Sequence, residues 1–516
     1  MSTKYKLSLV LLALIGVIFA LLSTSRYGAG LSPDSVSYIS TARNLIKGEG
    51  FITNYDEPIV HWPPLYPVLL ALIGAIFGTD PLLPAHIVNA LTFGLIVYLG
   101  GVLTFKHLPS FPALALVGTL AILFSTPLFA VSAMAWSEPL FILFVLLSLL
   151  FANLYLEKKD ITSLILLSSS VALSTLTRYI GVVLILWGGF IIIVFYRDSI
   201  KNRIAHLSLF TFISVLPIGI WLIRNYAISN TLFGPRASSA YTLSQNLTLL
   251  FNSILYWYLP GIIADYRPTL MLLGATIGFF AGLSFKDSWQ NMKVNLRQIS
   301  PAVLFSISSG LFVIIYAVFV VISATNTDVS VDSRMFSPIY VPLTLLLLIL
   351  TEALVDPYRK RFSKKIVNSF LIIGIAIGLI YPIRATILKA VELTQIGEGY
   401  SGQAWMDSET IQYLLQHRTL ESECTVYTNG PDAAYILAHL ATNMSPASTG
   451  YNSPERINDI SSLRGRWPEE NKVCLIWFDK LEWRKNLFTI DELQAIANID
   501  LIARLEDGAI YSITRK

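Results

Sequence analysis

The chain has 516 residues, of which 54% are hydrophobic and only 14% are charged, and its formal net charge is +4. A soluble protein carries about 25% charged residues, so this composition excludes an ordinary soluble enzyme. The small positive charge gives no reason to expect a nucleic-acid partner, because basic loop residues also orient membrane proteins.

Long apolar stretches recur along the chain, and each approaches the ~20 residues that cross about 30 Å of hydrocarbon. The first stretch follows Lys4 and Lys6 and resembles a signal peptide, but the many stretches behind it favour a retained helix. A shorter stretch, residues 65–78, is predicted to lie in the membrane interface. The chain is therefore predicted to be mainly α-helical, with about eleven transmembrane helices near residues 7–24, 84–104, 112–131, 139–156, 161–177, 179–196, 205–223, 268–285, 300–323, 337–354 and 366–385.

The positions of lysine and arginine predict the orientation of these helices. If residues 65–78 stay in the interface, the basic loops fall on one side, including 196–203 and 358–365, and the positive-inside rule makes that side cytoplasmic. The N-terminus is then cytoplasmic, and residues 25–83 form the first outer loop. Residues 1–385 form the membrane module, and the odd number of spans places the C-terminal tail, residues 386–516, on the extracytoplasmic side.

The C-terminal tail has the pattern of a small α/β domain. "CTVYTNG" and "KVCLIWFD" predict strands, "PDAAYILAHLA" and "TIDELQAIANI" predict helices, and "LIARLEDGAIYSITR" predicts a hairpin that turns at Asp-Gly. The two cysteines, Cys424 and Cys474, both fall in predicted strands on the oxidising side. A disulfide and two buried free thiols both fit this position, and the spacing fits neither a metal site nor a redox pair.

Outer loops are expected to be poor in basic residues, yet this chain places five arginines there. Guanidinium groups suit bidentate contacts with phosphate, so arginines that converge on one face predict a phosphate-bearing lipid as ligand. For any single one of them, a nearby carboxylate or a lipid headgroup is the simpler partner. The five are Arg178, Arg224, Arg236, Arg267 and Arg334, and the strongest candidates are Arg178 and Arg334, at the rims of spans.

Few acidic residues are predicted on the outer side. Asp34 lies in "SPDS" at the start of the first outer loop, where Ser32 fits a helix N-cap, so Asp34 is either a first-turn helix residue or a catalyst. Glu138 lies at the start of the fourth span, where a first-turn carboxylate is also common. Asp332 most simply pairs with Arg334.

The segment "HWPPLYP", residues 61–67, leads into the interfacial stretch. Its adjacent prolines predict an extended entry, and Trp62 and Tyr66 suit the headgroup belt of a membrane protein. The same aromatic residues, together with His61, are alternatively candidates for the wall of a sugar pocket, with Asp332 as a further pocket residue.

The order of these segments resembles the GT-C fold glycosyltransferases that use a polyprenyl-phosphate sugar donor. Among these enzymes, the chain most resembles bacterial relatives of the protein O-mannosyltransferase and aminoarabinose transferase group. The resemblance covers residues 1–385 and is carried by "PDSVSYISTARNLIKGEGF", "WPPLYPVLLALIGAIFG", "SEPLF", "TRYIG" and "DSRMFSPIYVPLTLLL".

The resemblance implies a bacterial inner-membrane enzyme that moves a sugar to a hydroxyl acceptor, with inversion at the anomeric carbon. Asp34 would be the catalytic base and Glu138 the second acidic residue, while Arg178, Arg334 and Arg224 would bind the donor phosphate. No cofactor or metal is expected to be required, although the two carboxylates could share a divalent cation. The expected partners are a polyprenyl-phosphate-linked sugar, membrane lipids and a glycan, lipid or protein acceptor, without nucleic acid.

Two alternatives remain open: phosphate-binding arginines would serve the first equally well, and the second would share the topology. One is a flippase or transporter of lipid-linked sugars, which is disfavoured because the chain lacks matched broken helices and midplane charges. The other is a polymerase that joins repeat units on a lipid carrier. The sequence leaves open the sugar, the acceptor, the oligomeric state and the role of the C-terminal tail.

Overall fold

Helices form most of the chain up to residue 396. The computed structural model describes residues 2–196, 198–264, 266, 301–329, 331–417, 423–450, 453, 455–470, 472–481 and 483–516. The predicted span at 268–285 and Arg267 lie outside the described residues. The longer helices are α1 (Thr3–Ser23), α2 (Pro33–Lys47), α3 (Leu65–Phe77), α4 (Leu82–His107), α5 (Pro112–Leu123), α6 (Thr126–Ser132), α7 (Glu138–Lys158), α8 (Ile161–Thr177), α9 (Val182–Phe195), α10 (Ile200–Ser229), α11 (Leu243–Tyr258), α12 (Pro301–Asn326), α13 (Tyr340–Arg361) and α14 (Lys364–Ile396).

Seven of the described helices are long and apolar enough to cross a membrane, or eight if α5 and α6, which meet at 45°, are one span. The shorter apolar helices are α3, α8 and the segment Tyr179–Phe195. A helix therefore lies at every predicted span except the undescribed 268–285, so the polytopic helical fold is confirmed but the count of eleven is not. The predicted interfacial stretch is the 13-residue helix α3, which is followed by Gly78 with a positive φ of 63°.

Close packing of α1 against α4 depends on a small residue. A Cβ added at Gly94 would lie 2.8 Å from the carbonyl oxygen of Ala13. Within a bilayer the hydrophobic effect does not drive helices together, so small residues that let backbones approach are favoured at such contacts.

The C-terminal tail contains a five-stranded sheet with the order β2-β1-β3-β5-β4. β1 pairs in parallel with β2 and β3, and β5 pairs antiparallel with β3 and β4. The predicted strands and the terminal hairpin are confirmed, and "PDAAYILA" forms the helix Pro431–Ala438. The strands are β1 (Thr425–Thr428), β2 (Asn443–Met444), β3 (Val473–Phe478), β4 (Ala497–Leu505) and β5 (Gly508–Arg515).

One predicted helix in the tail is wrong over half of its length. The segment "TIDELQAIANI" is helical only from Ile490 to Gln494, and the strand β4 starts at Ala497. Ala497 and Ile499 pair with Arg515 and Ile513 of β5, so sheet pairing prevails over the local helical pattern.

Cys424 and Cys474 form a disulfide, which decides between the two alternatives that the sequence leaves open. The bond follows from strand register, because Val426 of β1 lies opposite Cys474 of β3. Cys424 lies just before β1, so this register also brings it close to Cys474.

The tail packs directly on α2. Buried residues of both belong to one hydrophobic cluster, in which Tyr38 of α2 lies with Trp405 and Phe478 of the tail. This shared core holds the tail over one end of the helical bundle, which we call the tail side.

Candidate active site

A cavity of about 1250 Å³ lies on the tail side of the bundle. Three parts of the chain line it: the first turn of α2 with the following loop, the tail-side helix ends, and the C-terminal tail. Its charged wall residues are Asp34, Glu57, Arg178, Arg236, Asp328, Asp332, Arg334, Glu398, Asp432, Lys480 and Arg484.

Asp34 lies on this wall, and α2 is capped by a different residue. The Ser32 side chain accepts from the Ser35 backbone N–H, and the Ser35 side chain accepts from the Ser32 N–H, which completes a capping box. The Asp34 carboxylate is therefore available to a distant partner, and its Oδ2 lies 2.5 Å from Nη2 of Arg334. Local sequence predicts the cap correctly, while tertiary contact determines what Asp34 binds.

Arg334 belongs to the short helix Ser333–Phe336, just before α13. Its Nε donates to Oε1 of Glu138, and its guanidinium lies 3.8 Å from the ring centre of Trp136. The predicted Asp332–Arg334 pair is wrong. Asp332 is the N-cap of this helix, and its Oδ1 accepts from the Met335 N–H at 3.0 Å.

Glu138 lies beneath the two arginines and is only 1% exposed. Its Oε1 is 2.6 Å from Nη1 of Arg178 and also accepts from Arg334. Within the described part of the chain, Oε2 has no hydrogen-bond partner. A buried carboxylate requires such counter-charges, so Glu138 fixes both guanidinium groups in place.

Arg178 follows the last residue of α8 and reaches the same cluster. Its Nη1 donates to the Ser137 hydroxyl at 3.3 Å, and that hydroxyl also bonds the Tyr38 hydroxyl at 3.1 Å. The side chains of Arg178 and Arg334 are 15% and 20% exposed, and both line the cavity. They can therefore meet a ligand while they remain bound to Glu138.

The surroundings shift the pKa values of Asp34 and Asp332 in opposite directions. Burial by itself would raise the pKa of Asp34, but the positive charge of Arg334, followed by Arg178 and Arg236, holds the pKa below its ordinary value. Asp34 is therefore an anion at neutral pH. Burial raises the pKa of Asp332, which the Met335 N–H and Arg334 offset only in part.

His61 and Trp62, predicted as pocket residues, both line the cavity. His61 Nε2 lies 2.9 Å from the Pro235 carbonyl oxygen, and burial, followed by the charge of Arg236, lowers its pKa. Its imidazole is therefore neutral at pH 7 and holds the backbone of a neighbouring loop.

The structure does not bring Arg224 or Tyr66 to the site. Arg224 donates to the carbonyl oxygen of Ile59 at 2.8 Å and stacks on Trp221, so its guanidinium supports the loop after α2 and is not on the cavity wall. Tyr66 is fully buried and donates to Asn89, so it is a core residue. Neither residue is among the described residues that line the cavity, so the roles predicted for Arg224 and Tyr66 stay predictions.

Sequence reasoning does not propose Arg236 or Trp136 as site residues, but both line the cavity. Arg236 lines the cavity 3.9 Å from Asp328, and only its place among the outer arginines indicates it. Trp136 donates to the Ser32 hydroxyl at 2.7 Å and lies beneath Arg334, two residues before Glu138 in "AWSEPLF". Asp432, Trp483 and Arg484 of the tail also line the wall, and no local sequence signal indicates these three.

A backbone bridge joins the tail to the start of α2. Leu31 pairs in parallel with Gly399, and the Tyr400 N–H donates to the Leu31 carbonyl at 2.9 Å. Gly399 has a φ of +59°, and any side chain there would clash with the Leu31 carbonyl. This contact lies three residues before Asp34 and fixes the position of its helix.

Gly399→Ala is expected to lower the free energy of unfolding by about 2 kcal/mol more than Gly28→Ala. Both glycines have positive φ, but a Cβ at Gly28 meets no atom within 4 Å, so Gly28→Ala controls for backbone strain alone. Thermal unfolding of the purified proteins measures the difference. Equal destabilisation by the two variants would show that the bridge to Leu31 is not required.

Solved structures identify the fold as GT-C, the polytopic helical class of membrane glycosyltransferases. ArnT from Cupriavidus metallidurans in the apo state matches with a TM-score of 0.60 and 15% identity, over 98% of this chain and 97% of that chain. ArnT from the same organism bound to undecaprenyl phosphate matches with a TM-score of 0.58 and 15% identity, over 99% and 98%. At such identities the likeness concerns the fold.

A third structure extends this likeness to a larger protein. Archaeal oligosaccharyltransferase AglB from Archaeoglobus fulgidus, in complex with an inhibitory peptide and a dolichol-phosphate, has a TM-score of 0.53 and 13% identity. The match covers 93% of this chain and 70% of that chain.

A family model described as dolichyl-phosphate-mannose-protein mannosyltransferase matches residues 61–221. No curated protein shows significant sequence similarity to the chain. The matched segment includes Glu138 and Arg178, whereas Asp34 and Arg334 lie outside it. Together with the apolar helices, these findings confirm the resemblance to GT-C glycosyltransferases that use polyprenyl-phosphate sugars and indicate a multi-pass membrane protein.

Proposed function

We propose that this chain is a bacterial inner-membrane glycosyltransferase that moves a sugar from a polyprenyl-phosphate donor to a hydroxyl acceptor on the extracytoplasmic face. One observation carries the proposal: Asp34, Arg334 and Arg178, from three distant segments, meet on the wall of a single cavity. A carboxylate beside two guanidinium groups supplies both a base and an anion site. The matching structures with undecaprenyl phosphate and dolichol-phosphate support this choice of donor.

The proposed reaction needs one base and one stabilised leaving group. The acceptor oxygen forms a bond to the anomeric carbon as its proton passes to the Asp34 carboxylate. The bond from that carbon to the phosphate oxygen breaks on the opposite face, so the configuration inverts. Polyprenyl phosphate leaves with an additional negative charge, which Arg334 and Arg178 stabilise.

Glu138 acts as a positioning residue in this mechanism. Its carboxylate is buried and is not part of the cavity wall, so it holds the two arginines and does not contact the acceptor. The sequence-based assignment of Glu138 as a second catalytic carboxylate is replaced in our proposal by this role.

Donor binding is expected to activate Asp34. A donor phosphate would compete with Asp34 for the Nη2 of Arg334, which is 2.5 Å from the carboxylate without ligand. Loss of that contact removes the main interaction that lowers the pKa of Asp34, while burial continues to raise it. The carboxylate then becomes a stronger base when the donor is in place.

We propose that the charge on the phosphate is handled by arginine and not by a metal ion. Among the residues that the structure describes, no three His, Cys, Asp or Glu side chains are grouped to hold a metal. Asp34 and Glu138 each already form an ion pair with an arginine. Transfer is therefore expected to continue in EDTA, and loss of transfer that Mg²⁺ or Mn²⁺ restores would contradict this part of the proposal.

The proposal is tested with radiolabelled polyprenyl-phosphate sugars in membranes that contain the full chain. Label on a new product, together with release of polyprenyl phosphate, is the expected result. Label that changes leaflet without leaving its lipid would indicate a flippase, and growth of a lipid-linked chain in repeat units would indicate a polymerase. Either of these results overturns the proposal.

A further inference from the structure

The cavity has a second chemical region, which takes no part in the bond changes of the proposed reaction. Its surface comes from the C-terminal tail, and we call it the tail wall. The tail wall faces the same cavity as Asp34, whose volume of about 1250 Å³ exceeds the ~1000 Å³ upper range of ordinary small-molecule pockets. We define the tail wall as the described cavity residues from Asp432 onward, which are Asp432, Met444, Lys480, Leu481, Trp483, Arg484 and Asn486.

Resting on the proposed function, we propose that the tail wall binds the acceptor and that the acceptor is a carbohydrate. The polar groups of the tail wall are held by a buried network. Asp432 is 1% exposed, accepts from Arg484 Nη2 at 2.5 Å, and accepts from the Tyr55 hydroxyl at 2.7 Å. This network fixes polar groups of the tail and of the loop after α2 in one rigid surface.

An aromatic side chain also lies on the tail wall. Trp483 lines the cavity and remains 44% exposed, while the Arg484 guanidinium lies 4.9 Å from its ring centre. An exposed indole next to fixed polar groups suits a sugar ring, because the apolar C–H face stacks on the aromatic ring and the hydroxyls meet hydrogen-bonding groups.

The charges of the tail wall are paired. Each cation of the tail wall already has a carboxylate partner: Lys480 lies 2.7 Å from Asp507, and Arg484 lies 2.5 Å from Asp432. Among the described residues, the two cations of the tail wall do not share a carboxylate as Arg178 and Arg334 share Glu138, so positive charge is less concentrated here than at the arginine cluster. A neutral polyhydroxyl ligand matches this balance better than an anionic one.

The surface gives less support to a peptide acceptor. Extended peptides commonly add a strand to an exposed sheet edge, and the long edge strand here is β4. None of the described cavity residues belongs to β4, and the one strand residue among them, Met444, is part of the two-residue strand β2. Among the described residues, a peptide inside the cavity would therefore meet only the two-residue strand β2 for main-chain pairing.

The inference is tested by saturation-transfer difference NMR on the purified full chain in nanodiscs. The probes are maltose, cellobiose and lactose, with a Ser/Thr-rich peptide as the competing class. We expect saturation to reach C–H protons of at least one sugar, with about fivefold weaker binding in Trp483→Ala and near-normal binding in Trp483→Phe. The surface control is Arg504→Lys, whose side chain pairs with Asp479 away from the cavity wall.

Each other outcome overturns the inference. Signal on the peptide alone would assign the wall to a peptide, and no signal on any sugar would exclude the carbohydrate class. An equal loss in Trp483→Ala and Arg504→Lys would show that binding is unrelated to the cavity. Thermal stabilisation by undecaprenyl phosphate, measured on the same samples, tests the proposed function separately, because that ligand binds the arginine cluster and not the tail wall.

Discussion

Asp34→Asn is expected to reduce sugar transfer by about a thousandfold while the protein still folds and binds the donor lipid. The carboxamide cannot accept the acceptor proton, and positioned general bases contribute about 10²–10⁴-fold to rates. Stability should change little, because Asp34 is 29% exposed and Arg334 keeps its contact with Glu138. Binding of undecaprenyl phosphate should be retained or strengthened, since the variant releases one side of Arg334.

The matched control for this variant is Asp80→Asn. Asp80 also pairs with an arginine, Arg43, at 2.7 Å, but its carboxylate is 49% exposed and away from the cavity wall. It should transfer sugar at the parent rate, because an exposed ion pair contributes about 0–1 kcal/mol to stability. Parent-level transfer by folded Asp34→Asn would remove Asp34 from the mechanism, and equal losses in the two variants would indicate a structural effect.

The pH dependence of the parent protein follows from the same contact. The Asp34 pKa is depressed below 3.8 in the free protein, so the acid limb of kcat/KM should lie below that pH, where the base becomes protonated. The acid limb of kcat reports the donor complex and should lie at higher pH, because the phosphate displaces Arg334 from Asp34. Coincident acid limbs for kcat and kcat/KM would contradict this displacement.

Much of the fold could be predicted because its determinants are local. Apolar length predicts the spans, and "SPDS" predicts the start of α2, where Ser32 is the N-cap as expected. Failures occur where a longer-range contact decides the outcome. "AIANI" is a helical pattern by itself, but pairing with β5 makes Ala497 and Ile499 part of a strand.

Long-range contacts also limit how much of the candidate site could be predicted from the sequence. The sequence and its resemblance to GT-C enzymes single out Asp34, Glu138, Arg178 and Arg334 among the outer charged residues, and the structure brings these four together. Arg224 has the same local setting, yet it faces backbone carbonyls, since the direction of a side chain depends on which loop packs over it.

The tail wall could not have been predicted at all. Trp483 and Arg484 lie far along the chain from Tyr55, and a single sequence has no signal that links them across this distance. Their place on the cavity depends on how the tail packs on α2.

Arg334→Met is expected to have the second large effect, and it should damage both stability and transfer. The variant leaves the buried Glu138 with Arg178 as its remaining guanidinium partner, and breaking a buried ion pair costs about 3–5 kcal/mol when no partner is left. With Arg178 in place, a loss of about 2 kcal/mol is expected. Transfer should fall by about 10²–10³-fold, because the leaving phosphate loses a charged donor.

A second substitution separates these two effects. In Arg334→Met/Glu138→Gln the cluster is again neutral, with Asp34 and Arg178 as its charges, so most of the lost stability should return. Transfer should remain low, because no group replaces the guanidinium at the phosphate. Arg334→Lys should lie between parent and Met in both measurements, since an ammonium keeps the charge but not the fork that reaches Asp34 and Glu138 at once. Recovery of transfer together with stability in the double variant would mean that Arg334 serves only to neutralise Glu138, and the proposed phosphate contact would then be wrong.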